Sequence, residues 1–375
     1  MLADINPDFF TQMKNLLKSE YDDYLLSLEK ERMRGLRVNT NKIAPEELLK
    51  KIPVCGAVPF CSDGFFIGDK KLGNHPYHHA GLFYLQEPSA MLPVSAIAPY
   101  LKGRILDLCA APGGKSTQIL NCMAEGSELI CNEIVPSRAA VLSSNLERMG
   151  SVSAVTSMNP KDMEKVFPMY FDAVIVDAPC SGEGMFRKEE AAVRDWSLSN
   201  VLSCAARQTE ILSSAAAMLK NGGYMVYSTC TLNDVENEGV ILKFLENNRN
   251  FSTIEPNENV RAHTRRGFGV SEAMRIFPHD FGEGHFACVL KKNADDTSAP
   301  PVKIKTVNPF DRITSERAAI YSALGDFGID GKSLRTEKFG DAVYIVSDRL
   351  EIPQGARIFR GGMPVIKLVG GRCTP

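Results

Sequence analysis

From Arg104 onward the chain alternates short apolar runs with longer amphipathic ones. RILDLCA, ELICNE, VSAVTSM, FDAVIVDAP and GGYMVYSTC are compact and apolar, bounded by polar or turn-forming residues, as buried strands are. Between them GKSTQILNCMA, SRAAVLSSNLERMG and a stretch over about residues 201–219 carry apolar side chains at helical spacing. A further helix is predicted over 234–247, and HFACVLKK reads as the last strand. Strands alternating with helices imply an α/β fold, a parallel sheet with helices on both faces. In such sheets ligands sit beyond the carboxyl ends of the strands.

The flanks are patterned differently. Residues 1–90 combine an amphipathic helix over 7–18 with short apolar pieces, GLRVNT and GFFIG, punctuated by proline and glycine. They predict a small N-terminal α+β domain. Residues 91–292 hold the alternating unit. The polar, proline-bearing NADDTSAPP then predicts a linker, and residues 303–375, with runs such as DAVYIVS, a third, β-rich segment.

Composition narrows the class. Hydrophobic residues make up 44% and charged residues 23% of the 375, a globular balance. No apolar run is long enough to span a bilayer, and MLADINPDFFTQMKNLL lacks the basic start and apolar block of a signal peptide. The expected location is the cytoplasm, with no membrane partner. The ten cysteines are scattered without a CxxC pair, which predicts neither a disulfide framework nor a zinc ribbon. A net charge of −2 excludes a globally basic nucleic-acid binder. Two local clusters remain, each able to track phosphates or simply to form a solvated surface. One is Arg261, Arg265, Arg266 and Arg275 around Glu272; the other is Arg349, Arg357, Arg360, Lys367 and Arg372.

The chemistry gathers at strand ends. The first strand of the alternating unit runs into Asp107, Leu108, Cys109, Ala110, Ala111, Pro112, Gly113, Gly114, Lys115 and Ser116. Small residues and glycines let a backbone approach a ligand, and a helix N-terminus follows. Two readings compete, a nucleoside-cofactor loop and a P-loop of an NTPase, since GGKST resembles the end of a Walker A motif. The P-loop requires glycine where Cys109 stands, although AVIVD would pass as a Walker B strand. Glu133 ends the second strand, where an acid can accept hydrogen bonds from ribose hydroxyls. Arg138 is expected to decorate the next helix rather than hold Glu133. Two further strands end in Asp177-Ala178-Pro179-Cys180 and Ser228-Thr229-Cys230. A structural cysteine more often sits within a strand than at its end. Two at strand ends beside a glycine loop point to chemistry.

DLCAAPGGKS, FDAVIVDAPCSGEGMFRK and GGYMVYSTCTLNDVENE together resemble the motifs of the RsmB/RsmF (Fmu/Sun) family of RNA 5-methylcytosine methyltransferases, as do LRVNT and YLQEPSAM. The resemblance covers about residues 30–292, and FRK after the DAPC motif favours the RsmF-like branch, whose members act on small-subunit ribosomal RNA. It implies a Rossmann-like class I methyltransferase sheet, S-adenosylmethionine as cofactor and an RNA-binding N-terminal domain. It also implies that Cys109, Ala110, Ala111, Pro112, Gly113, Gly114 and Lys115 wrap the methionine end of the cofactor, that Glu133 holds its ribose, and that Asp177 lies between cofactor and cytosine. Cys230 would be the nucleophile and Cys180 the residue that helps release the product. Relatives carry an acid after the third strand that contacts adenine; SMNP stands here, which leaves Asn159 or a neighbour to substitute. GARIFRGGMPVIKLVGGRCTP resembles the opening of the family's PUA-like RNA-binding module; either this member is short or residues 303–375 are an incomplete copy of that module. The protein is expected to act as a monomer. A relative that binds RNA without catalysis is the remaining alternative.

That chemistry explains two thiols. A thiolate adding to carbon 6 of cytosine makes carbon 5 nucleophilic; a free thiol, with pKa about 8.5, needs help to ionise. Helix N-termini and a cationic cofactor would help Cys230, and a protonated Asp177 would bind the N3 side of the ring. Other features read more plainly. His75, His78 and His79 have poor metal spacing and predict a loop packed on the active-site rim, with no metal. Gln86, Pro88 and Ser89 match the family's domain junction and are expected to line the mouth through which RNA passes. Trp196 is expected to anchor packing.

Overall fold

The computed structural model describes residues 5–68, 71–294, 304–308, 310, 313, 317–326, 328–369 and 372–374. The linker predicted at NADDTSAPP lies, from residue 295 on, outside the described residues.

The N-terminal unit opens with the helix Pro7–Leu17, capped by Asn6, which accepts from the Asp8 amide. Its buried stripe, Phe9, Met13 and Leu17, has the helical spacing seen in the sequence. The stripe packs on Phe186 and Trp196, which belong to the next unit. Strands β1 (Arg34–Val38), β2 (Gly56–Ala57), β3 (Gly64–Ile67) and β4 (Phe83–Leu85) form an antiparallel sheet in the order β2-β3-β1-β4.

The middle unit is built on β5 (Arg104–Asp107), β6 (Glu128–Asn132), β7 (Ala154–Thr156), β8 (Phe171–Asp177) and β9 (Leu219–Thr229). These pair in parallel in the order β7-β6-β5-β8-β9. Neighbouring residues point to opposite faces, the period of two that a strand imposes. Leu106, Val174 and Val176 meet Met163, Leu212, Ala215, Ile241 and Phe244 on one face. Ile105, Ala173 and Ile175 meet Val94, Ile97, Ile119, Leu142 and Leu146 on the other. Helices therefore cover both faces, as the alternation predicted. After β9 the sheet turns antiparallel through β10 (Phe251–Ile254), β11 (Arg265–Arg266), β12 (Met274–Ile276) and β13 (His285–Lys292), with β13 beside β9. The predicted parallel sheet is thus a mixed one.

Two boundaries differ from expectation for physical reasons. The helix predicted over 234–247 begins only at Glu238. Residues 233–237 stay irregular because Asn233, Glu236 and Asn237 spend their side chains on buried partners instead of a helical turn. The C-terminal segment is also less separate than a third domain would be. Its strands Thr336–Phe339, Ala342–Ile345, Met363–Val369 and Arg372–Thr374 form a sheet of their own, but its strand Ile358–Arg360 pairs antiparallel with β7 and extends the central sheet.

One side chain seats the N-terminal unit on the middle one. Arg37 is fully buried and donates to Gln86 Oε1, the Thr117 and Gly114 carbonyls and Thr117 Oγ1. Gly114 and Thr117 lie on the helix Gly114–Cys122 that follows the glycine loop, and the Asp63 carboxylate stands 3.6 Å from the same guanidinium. Removing a buried arginine strands these acceptors, and such losses cost about 3–5 kcal/mol. Arg37→Met is therefore expected to lower unfolding stability by about that amount in urea titrations; a loss below about 1 kcal/mol would refute the role given to Arg37.

Candidate active site

The loop after β5 carries Cys109, Ala110, Ala111, Pro112 and Gly113 around the strand end into the helix Gly114–Cys122. Gly113 has φ +111°, a conformation that glycine adopts without strain. Beneath it, the buried Asp107 accepts from Ser116 Oγ at 2.6 Å through Oδ2, and its Oδ1 has no partner among the described residues. Burial pushes the Asp107 carboxyl up to about 7, against the pull of that hydroxyl. Glu133, 2% exposed, accepts from the Val135 amide, and Arg138 stands 3.4 Å from its Oε2 while also donating to the Ala111 carbonyl. Arg138 therefore does hold Glu133, contrary to expectation: the first turn of the helix Pro136–Arg148 brings it back over the strand end.

Asp177 ends β8, and Lys115 reaches across from the glycine loop to place Nζ 2.7 Å from Asp177 Oδ2. Ser228 Oγ donates to Asp177 Oδ1 at 2.8 Å. His285, at the start of β13, puts Nε2 3.7 Å from the same oxygen. Burial alone would push this carboxyl up, but Lys115 and then His285 hold it well below the usual carboxylate range. These neighbours favour Asp177 as the carboxylate over the protonated or proton-sharing form weighed from the sequence. Burial, and next Lys115, lowers the His285 imidazole below its ordinary value, so the ring is neutral at pH 7.

Cys180 Sγ and Cys230 Sγ lie 3.3 Å apart just beyond the adjacent strands β8 and β9. The Cys230 sulfur, followed by burial, pushes the Cys180 thiol well up, and either sulfur can be the donor in their contact. No helix N-terminus supports Cys230; the helix that follows starts at Glu238.

What fixes the two sulfurs is a buried polar clasp. Glu183 Oε2 accepts from the Leu232 and Asn233 amides, each at 2.8 Å, and its Oε1 accepts from Trp196 Nε1 and Asn233 Nδ2. Glu236 Oε2 accepts from the Ser181 amide and Gln208 Nε2, and its Oε1 from Asn233 Nδ2. Each carboxylate thereby ties the Cys180 loop to the Cys230 loop. Residues of both lie inside the CSGEG and TLNDVENE runs, yet their pairing was not visible there. Trp196 proves to be a packing anchor, edge-on to Phe9 at 5.5 Å.

Other expectations fare less well. The arginine cluster is neutralised rather than free: Arg275 is 2% exposed and paired with Glu238, Arg265 meets Glu20 and Asp280, and Arg261 and Arg266 share Glu255. In the tail, Arg360 is buried and donates to the carbonyls of Ser143, Ser151 and Ser153, and Arg349 donates to that of Gly126. The Arg372 side chain lies outside the described residues. Asn159 is exposed and caps the helix Pro160–Val166, its Oδ1 accepting from the Lys161 amide. The buried Asn132, which sequence reading passed over, holds Met158 through both its amide and its carbonyl. Gln86 and Ser89 are buried in the domain junction, where Gln86 lines a groove between the two units. His75 Nδ1 accepts from the Tyr77 amide and His78 packs on Phe83. Among the described residues no group of three His, Cys, Asp or Glu could share a metal ion.

Comparison with known proteins agrees with this geometry. The family model described as 16S rRNA methyltransferase RsmB/F matches residues 94–291. That for the N-terminal domain of 16S rRNA methyltransferase RsmF matches residues 5–88. Ribosomal RNA small subunit methyltransferase F of Erwinia tasmaniensis is 39% identical over 311 residues, covering 79% of this chain and 64% of that protein. Its namesake in Escherichia coli O157:H7 is 36% identical over 351 residues, covering 86% and 71%. The chain thus spans roughly two-thirds of the length of these relatives. A methyltransferase homolog protein from Pyrococcus horikoshii has a similar structure, with TM-score 0.65 and 25% identity over 78% of this chain and 97% of that one. NSun6 of the same organism shares the fold, with TM-score 0.69 and 21% identity over 79% of this chain and 100% of that one.

The raised Asp107 carboxyl gives a pH signature. With a folded value of about 7 against an ordinary 3.8, its proton favours the folded state. That contribution is fully present below pH about 4 and is lost as pH rises through 7. The stability of Asp107→Asn relative to the parent is therefore expected to rise between pH 4 and 7.5 in parallel urea titrations. A pH-independent difference would mean that Asp107 titrates normally.

Proposed function

The chain belongs to the 16S rRNA methyltransferase RsmB/F family, and from that premise we propose that it transfers a methyl group from S-adenosylmethionine to carbon 5 of a cytosine in small-subunit ribosomal RNA. The observation that carries this reading is the 3.3 Å contact between Cys180 and Cys230 beside the ionised Asp177. Packing alone does not call for two thiols in contact at strand ends, and a non-catalytic RNA binder would have no use for them.

The cofactor fits the residues present. It is cationic at sulfur and nitrogen, and Glu133 and Asp177 set carboxylates at the strand ends, with the buried Asp107 carboxyl between them. Burial and then these three acids push the Cys109 thiol up. A nucleoside triphosphate would be repelled by those carboxylates, and Ser116, which a P-loop needs for magnesium, is turned into Asp107. Residues 109–115 would hold the methionine end, Glu133 the ribose, and Asn159, with its neighbours on Asn132, the adenine side. S-adenosylmethionine, when bound, supplies the electrophilic methyl group.

The chain's own residues do the rest. Cys230 attacks carbon 6 of the cytosine, and electron density moves to carbon 5. The proton that the Cys230 thiol gives up goes to N3, and Asp177, as a carboxylate, accepts from the amino group and from that N3–H. Cys180 is held protonated at first by its contact with the Cys230 sulfur. When that sulfur enters a carbon–sulfur bond, the largest influence raising the Cys180 thiol is removed, and the thiol can release its proton to solvent. Cys180 or a water beside it can then take the carbon 5 proton, and the Cys230–carbon 6 bond breaks. His285 is a positioning residue: a neutral ring can donate to Asp177 without displacing Lys115. The cytoplasm is the expected site of action.

Cys230→Ala is expected to abolish methyl transfer to ribosomal RNA. Cys180→Ala is expected to accumulate a denaturant-resistant protein–RNA adduct on gels. Full activity without adduct in the second variant would sink the assignment of Cys180. His285→Phe is expected to lower kcat about tenfold to a hundredfold with little change in the KM for cofactor; an unchanged kcat would remove His285 from the site.

A further inference from the structure

A groove of about 410 Å³ opens where the N-terminal unit meets the middle one. Ile67, Leu72 and Leu85 give it an apolar floor, and Met33, 46% exposed, stands at its lip. Its rim carries Arg32, Arg34, Lys71 and Lys188, all exposed. None of these four forms an ion pair among the described residues. The two acids in the wall have partners of their own, although Glu283 Oε1 is without one among the described residues and feels the charge of Arg32. Glu87 accepts from the amides of Ser89, Ala90 and Glu283 and from Ser89 Oγ, and Glu283 is paired with Arg187 at 2.8 Å. The groove therefore presents unpaired positive charge above an apolar floor. That is the reverse of the arginine cluster at 261–275, whose charges are already matched.

The groove also leads to the cysteines. Lys188 closes the same loop that carries Cys180, and Glu283 lies two residues before His285. Glu283 and Cys230 meet at Gly184, where an added methyl would stand 2.7 Å from the Cys230 carbonyl oxygen and 2.9 Å from that of Glu283. A chain lying in the groove is thus one glycine away from the attacking residue's backbone.

We propose that this groove binds the single-stranded RNA flanking the target cytosine, with Arg32, Arg34, Lys71 and Lys188 on phosphates and the aliphatic floor against base faces. The assignment rests on the RNA methyltransferase reading above. Phosphate contacts release counterions, so each one lost should flatten the salt dependence of binding by nearly one unit of slope. Base faces on an apolar surface add affinity with little sequence preference.

The test uses the full chain and a fluorescein-labelled RNA spanning a methylated loop of small-subunit ribosomal RNA. In anisotropy titrations across a salt series, Arg32→Ala/Arg34→Ala/Lys188→Ala is expected to bind about 10- to 100-fold more weakly, with a slope lower by two to three. Adenosylmethionine binding by calorimetry should stay unchanged. Arg266→Ala, which loses a charge already paired with Glu255, should bind RNA as the parent does. The charge-keeping variant Arg32→Lys/Arg34→Lys/Lys188→Arg should retain binding and so shows that charge, not folding, is at issue. Parental affinity and slope in the triple alanine variant, while the parent methylates RNA, would overturn the groove alone. A parent that neither binds nor methylates RNA would instead overturn the reading beneath it, and preference for anionic vesicles over the oligonucleotide would overturn the choice of RNA.

Discussion

The site depends on one constraint: two carboxylates, Glu183 and Glu236, are buried between the loops that carry the two sulfurs. A buried carboxylate is costly unless its oxygens are filled. Here they are filled by the Leu232, Asn233 and Ser181 amides and by Asn233, Gln208 and Trp196 side chains. Amide donors have fixed directions, so satisfying both acids leaves each loop little freedom relative to the other. The contact between Cys180 and Cys230 follows from that rigidity. So does the late start of the helix at Glu238, because residues 233–237 are shaped by the acids they serve.

The same logic orders the cofactor side. Asp107, Glu133 and Asp177 sit at the ends of three neighbouring strands, and each has a dedicated partner: Ser116, Arg138 and Lys115. Lys115 links the glycine loop to the strand that leads to Cys180. A change at the cofactor end is therefore felt by Asp177, the residue assigned to the base. The glycine loop and the end of β8 are joined by an ion pair rather than by a long chain of packing.

Much of this was legible in the sequence. Strands of branched and apolar residues, the glycine loop, Glu133 and the two strand-end cysteines are local signals, and the parallel core followed from their alternation. What stayed hidden were partnerships between residues far apart in the chain. Arg265 reads as a free cation until Glu20, 245 residues away, is found beside it. Arg275 reads the same way, but lies buried against Glu238. Conversely Arg32 and Arg34 attract no notice in the sequence, since only the fold shows that neither forms an ion pair among the described residues. His285 was read as the start of a strand, because its relation to Asp177 depends on β13 lying beside β9.

The short strand Ile358–Arg360 has a further consequence. By pairing with β7 it covers what would be a bare edge of the central sheet, and the buried Arg360 fastens it there through the carbonyls of Ser143, Ser151 and Ser153. Exposed sheet edges recruit strands from other molecules and seed aggregation. The C-terminal segment is thus also a guard on solubility: a chain ending near residue 294 would keep every catalytic group and yet offer its neighbours an open strand.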